Sequence, residues 1–189
     1  RPYYGKQGGV TFSGGEPLLQ AEFLQEILTL CREARIHTCL DTSGVGCGKY
    51  EEILALTDLI LLDVKHYTPE GYQQITGRSM EEFQRFLDVA QRMQIPLWIR
   101  HVVVPGLTDG AAHLEGLEAY LQTLQHIQRV ELLPYHTLGV HKYQALGIPY
   151  SLEGVPPQEE ADLQPWIQRL NSSCVCREND SSNRKEGTL

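Results

Sequence analysis

No apolar run in this sequence approaches the roughly 20 residues a bilayer-spanning helix needs, and no signal peptide opens it. No stretch gathers Lys and Arg into a basic stripe. With 16 basic against 24 acidic residues the net charge is −8, so neither nucleic acid nor an anionic membrane surface is an expected partner. Cysteines are few: Cys31, Cys39, Cys47, Cys174 and Cys176 are an odd number without a framework spacing. That pattern suits a reducing, cytoplasmic setting better than a disulfide-stapled secreted scaffold. Internal repeats and low-complexity tracts are absent. The Gly14-Gly15 pair lacks the Lys-Ser/Thr ending of a phosphate loop.

What is present is one domain's worth of chain. The 189 residues are 41% apolar and 21% charged, ordinary values for a globular protein with a sizeable core. Strand-like and helix-like stretches alternate. Val10–Phe12, His37–Leu40, Leu59–Leu62, Leu97–Val104 and Val130–Leu133 read as strands. Leu18–Ala34, Tyr50–Leu56, Met80–Met93 and Ala111–Leu124 carry apolar residues at helical spacing. Asp162–Leu170 reads as a terminal helix, with Pro165 placed in its first turn. Near-continuous apolar strands predict a parallel sheet buried on both faces, as an α/β barrel or an open doubly wound sheet. The domain is expected to cover residues 1–170, followed by a mobile polar tail over 171–189.

Each expected strand ends in polar or glycine residues, and in parallel α/β folds all carboxyl ends share one rim, where ligands bind. Ser13-Gly14-Gly15-Glu16 reads as a tight turn into a helix, or as a backbone cradle with a carboxylate for an ammonium. Asp63 and Lys65 point to one face at the mouth of a core, with Val64 between them. Asp41 and Thr42 with Asp63 form an all-oxygen set for a hard cation, or else an ordinary turn. Arg100, among apolar neighbours, must be paired or ligand-facing, because an unpaired buried charge is costly. His136 stands at the last strand end, while His141 and Lys142 read as loop residues. Cys174 and Cys176 read as tail thiols; two thiols make a weak site for a soft metal.

These residues carry a resemblance. Gly9-Val10-Thr11-Phe12-Ser13-Gly14-Gly15-Glu16-Pro17-Leu18 resembles the Gly-Gly-Glu segment of radical S-adenosylmethionine enzymes. His37–Gly44, Leu61–Lys65, Trp98–Gly106 and Glu131–His136 follow in order, and the set resembles the glycyl-radical activating enzymes, most nearly those acting on pyruvate formate-lyase. The resemblance runs from about Gly8 to Pro157. It implies a partial (β/α)6 barrel lacking its first βα unit. Ser13, Gly14, Gly15 and Glu16 would meet the amino end of S-adenosylmethionine. Asp63, Val64, Lys65, Arg100 and His136 would line the rest of the pocket, and Asp41, Thr42 and Asp63 would hold a monovalent cation.

The implied chemistry starts with one electron from a 4Fe–4S cluster, itself reduced by a flavodoxin- or ferredoxin-type donor. It ends with hydrogen taken from a glycine of the partner, expected to be pyruvate formate-lyase. The cluster's Cys-x3-Cys-x2-Cys run is absent from this sequence, so the chain is expected to be an inactive piece of such an enzyme. The alternatives are an activase for another glycyl-radical enzyme and a non-catalytic S-adenosylmethionine-binding remnant.

Overall fold

Short runs of apolar residues closed by glycine or charge set up a β-then-α alternation, and the computed structural model shows it. It describes residues 8–183, with side chains to residue 173. Five strands, β1 (Gly9–Phe12), β2 (His37–Thr42), β3 (Leu59–Asp63), β4 (Leu97–Val103) and β5 (Ile127–Pro134), form one sheet. All neighbours are parallel and the order is β1-β2-β3-β4-β5. A doubly wound sheet would reverse direction; this one never does. Right-handed crossovers in a constant direction put every connecting helix on one face, which is the arc of an α/β barrel.

The helices are α1 (Ala21–Glu33), α2 (Tyr50–Leu54), α3 (Pro69–Thr76), α4 (Glu81–Arg92), α5 (Ala111–Leu121), α6 (Val140–Ala145) and α7 (Glu160–Asn183). Helix α4 shows why the pattern folds this way. Phe83, Phe86, Leu87 and Ala90 recur three and four apart, and all four are buried in the core. Leu18, Leu24 and Leu28 do the same for the start of the chain, packing with Leu40, Ile60, Leu62 and Ile99 of the sheet.

The expected burial on both sheet faces does not hold. Burial alternates along β3 (Leu59, Leu61 and Asp63 part-exposed; Ile60 and Leu62 buried) and along β4, where Leu97, Ile99, His101 and Val103 are buried. Helices cover only the convex face. The concave face of the arc stays accessible and carries the polar side chains.

Several boundaries differ from expectation for local reasons. A 3-10 turn, Pro17–Gln20, precedes α1, because Glu16 caps Leu18 N–H and Pro17 opens the turn. Phe23 stays 61% exposed on the outer side of α1. Helix α3 is an extra element, started by Thr68, whose hydroxyl accepts from Gly71 N–H, with Pro69 at its first position. The residues read as loop around His141 and Lys142 lie in α6. Helix α7 begins at Glu160, so Pro165 lies inside it, and it extends through residues read as an irregular tail. Asn171 explains part of that extension. Its amide donates to Val130 C=O and accepts from Val130 N–H, as a neighbouring strand would, and so closes the outer edge of β5.

Candidate functional site

At the carboxyl ends of β1 to β4, four sequence-distant segments meet through ion pairs and one hydroxyl–carboxylate hydrogen bond. Alternation on β2, β3 and β4 sends Asp41, Asp63 and Arg100 to the concave face, and register sets Asp63 beside Arg100. Arg100 Nε donates to Asp63 Oδ1 at 2.9 Å, and its terminal nitrogen donates to Asp41. Asp63 Oδ2 also accepts from Lys65 Nζ at 3.1 Å. Asp41 Oδ2 accepts from Ser13 Oγ at 3.0 Å, which brings the β1 turn into the network. Side-chain exposures of 19% to 34% leave these charges half-buried, wet enough to reach a ligand and dry enough for their pairing to count. Lys65 uses one of its donors on Asp63, and Arg100 keeps further N–H groups beyond its two carboxylate bonds.

The Ser13–Glu16 turn is built for close approach. Gly14 and Gly15 have φ of 103° and 57°, and a Cβ on either would meet nothing within 4 Å. Their backbone is therefore open to an incoming group, in a conformation L side chains avoid. Glu16 acts differently from the simplest reading of it. Its Oε1 accepts from Leu18 N–H at 3.2 Å and from Thr42 Oγ1, and its Oε2 accepts from Ser43 N–H at 2.8 Å and Ser43 Oγ at 2.6 Å. Three of these four donors tie the carboxylate to the end of β2 and the fourth, Leu18 N–H, to its own turn, so it braces the glycine turn. Thr42 points away from Asp41: its buried hydroxyl serves Glu16 and accepts from Gly44 N–H. Of the three residues proposed for a cation, Asp41 and Asp63 are together, bridged by Arg100, and Thr42 lies on the other face.

Val64 is buried, its N–H donating to Arg100 C=O at 2.9 Å. His136 is exposed just past β5, beyond Pro134, which pairs with Val103, and its ring has no hydrogen-bond partner among the described residues. It stands on the rim outside the ion-pair network. Cys31 and Cys39 are buried on separate elements, and burial pushes the Cys39 thiol up from its ordinary value. The side chains of Cys174 and Cys176 lie outside the described residues.

Sequence reasoning also passed over a cluster behind the network. The rings of His66, Tyr67, His101 and His113 pack together, two contacts stacked, one edge-on and one tilted, with centroids 4.7 to 5.2 Å apart on the helix-covered side of Lys65. The signal available was strand alternation: if Arg100 faces the concave side, His101 must face the core.

Residues 3–115 match the family model described as the Radical SAM superfamily. Pyruvate formate-lyase-activating enzyme of Clostridium pasteurianum is 46% identical over 174 residues, 90% of this chain and 73% of that protein. This chain belongs to the radical SAM superfamily. Within it, it belongs with the pyruvate formate-lyase-activating enzymes. The Streptococcus mutans enzyme of that name is 44% identical over 164 residues, 83% of this chain and 62% of that protein. The chain thus spans between three-fifths and three-quarters of the length of these relatives. Among solved structures, a domain of pyruvate-formate lyase-activating enzyme from Bacteroides vulgatus superposes with a TM-score of 0.68 at 27% identity, covering 88% of this chain and 94% of that one. Coproporphyrinogen III oxidase from Escherichia coli, a radical SAM enzyme, gives 0.59 at 18% identity, covering 88% of this chain and 41% of that one, and supports the fold alone.

Family membership implies S-adenosylmethionine and a 4Fe–4S cluster. The two fit this radical SAM chain unequally. The open Gly14-Gly15 backbone, linked to Arg100 and Lys65 through Ser13, Asp41 and Asp63, fits a small zwitterion with an anionic end. No group of three or more His, Cys, Asp or Glu able to hold a metal exists among the described residues, so these residues do not fit the cluster.

Proposed function

We propose that this chain is the cofactor-binding core of an activating enzyme that installs a radical on a glycine of pyruvate formate-lyase. The observation that carries the reading is the Ser13–Asp41–Arg100–Asp63–Lys65 network, lying across the ends of four strands next to an open glycine turn. The 43–46% identity to activating enzymes supports the partner. Bound S-adenosylmethionine supplies the radical chemistry once it receives one electron. The chain's own residues bind, orient and shield it. Lys65 and Arg100 offer N–H donors to its carboxylate, with His136 at the rim as a further donor. The Gly14-Gly15 backbone lies against its amino end, and Glu16 holds that turn rigid. Fixing the ligand this way removes orientational freedom before reaction.

A monovalent cation between Asp41 and Asp63 belongs to the same proposal, with Arg100 shifting to admit it. A potassium-dependent rise in S-adenosylmethionine affinity is its expected sign, and identical affinity in potassium and in a bulky ammonium buffer contradicts it. A cytoplasmic setting and a flavodoxin- or ferredoxin-type electron donor complete the proposed context. One observation favours a second reading: the described residues offer no cluster ligands, which fits a module that binds S-adenosylmethionine without cleaving it.

Equilibrium dialysis with labelled S-adenosylmethionine tests the binding claim. One saturable site per chain is expected, lost in Arg100→Leu. Non-saturable uptake by the unaltered protein removes both readings.

A further inference from the structure

The ladder between β3 and β4 ends at Asp63 and Arg100, yet the next residues, Val64 and Lys65, must hold position for Lys65 to act. Val64 N–H still finds Arg100 C=O. Its carbonyl takes a side chain instead of a backbone donor: His101 Nδ1 lies 2.7 Å away, on a ring 1% exposed. A carbonyl only accepts, so Nδ1 carries the proton. His101 Nε2 lies 3.1 Å from His113 Nε2. Two N–H groups cannot face each other at that distance, nor can two bare lone pairs. His113 therefore donates from Nε2, and His101 accepts while keeping its own proton on Nδ1.

We propose that His101 is a positioning residue for S-adenosylmethionine binding: it clamps the Val64 carbonyl, thereby orienting Asp63 and Lys65, and His113 imposes the tautomer that makes the clamp possible. This rests on the reading that Lys65 holds the cofactor.

The surroundings support both rings as neutral donors. Burial lowers both imidazoles to about 4; at His101 the Val64 carbonyl opposes this while His113, His66 and Lys65 add to it, and at His113 His66 adds to it while Asp109 opposes it. The residues that follow the clamp are wedged against two helices as well. His66 Nδ1 accepts from Thr68 N–H, and its ring occupies the space where a Cβ on Gly71 would lie, within 2.1 to 2.3 Å. The Tyr67 hydroxyl sits 2.3 Å from the Cβ position of Gly116 in α5. Residues 65–68 are thus seated against α3 and α5, and just before them His101 ties the Val64 carbonyl to β4 beyond the ladder's end.

The test uses the full chain. Nitrogen-15 spectra of labelled histidine are expected to show His101 as the Nδ1–H tautomer at pH 7. S-adenosylmethionine affinity, read by calorimetry, is expected to fall about tenfold in His101→Leu, which fills the space without a donor, and to stay within about threefold in His101→Gln, whose amide can donate. His113→Leu is expected to raise the Nε2–H share of His101. Lys65→Ala is the control for the underlying reading and is expected to weaken binding at least about tenfold. Weakened Lys65→Ala with unchanged His101→Leu overturns the clamp and leaves the cofactor reading intact; unchanged Lys65→Ala overturns that reading. Should His101→Leu not fold, an Nε2–H His101 with a bare Nδ1 in the unaltered chain overturns the clamp by itself.

Discussion

The two faces of the β3–β4 pair solve the same problem in opposite ways. On the concave face Asp41, Asp63, Lys65 and Arg100 remain charged, and partial exposure plus mutual pairing makes that tolerable. On the convex face, one residue along from Arg100, His101 is almost wholly buried and is held neutral, with its hydrogen bonds directed by a second neutral ring. Charge survives where water reaches it, and defined tautomers replace charge where water does not. A difference of one residue on a strand separates a half-buried cation paired to two carboxylates from a buried neutral imidazole.

The largest expected way to break this contrast is Arg100→Leu. It leaves the Asp41 and Asp63 carboxylates facing each other without their shared cation. Because these side chains are 20% and 25% exposed, the cost is expected at about 2–3 kcal/mol, at or below the lower end for fully buried pairs, and denaturant unfolding at pH 7 measures it. Gly116→Ala comes next and attacks the convex side. Its Cβ would land against Tyr67, and a loss of about 1–3 kcal/mol in the same measurement is expected, with weaker S-adenosylmethionine binding through displacement of residues 65–67.

Acidity separates the faces more gently. Folded His101 and His113 titrate near 4, below the ordinary 6.5, so between those values the unfolded chain binds more protons than the folded one. Stability is therefore present above pH 6.5 and is lost as pH falls towards 4, by up to about 1.4 kcal/mol per pH unit for the buried His101. A flat profile over that window in the unaltered chain, or the same slope in His101→Gln, contradicts the neutral pair. Ser13→Ala is the smallest perturbation, expected to cost about 0.5 kcal/mol or less, because its bond to Asp41 is solvent-exposed.

Much of this arrangement was legible in the sequence. The five strand ends, the inward face of α4 and the gathering of Asp41, Asp63, Lys65 and Arg100 follow from runs, periodicity and the rule that parallel strands share a rim. Other features needed coordinates. Glu16 looked available for a ligand because nothing local reveals that Ser43 and Thr42, more than 25 residues on, supply its donors. Helix α3 was hidden because Gly71 weakens its pattern, a residue kept small by the His66 ring that fills its Cβ position. Continuous apolar character in β3 suggested burial on both faces, whereas five strands bend into an arc that covers only one. The His101–His113 contact joins a strand to a helix 12 residues away, and neither residue carries a motif.

A structure of the chain with S-adenosylmethionine bound tests the central claim most directly. The ligand is predicted along the Ser13–Gly15 turn, its carboxylate within hydrogen-bond distance of Lys65 or Arg100. A ligand seated elsewhere, with Asp41, Asp63, Lys65 and Arg100 paired only to one another, would contradict it.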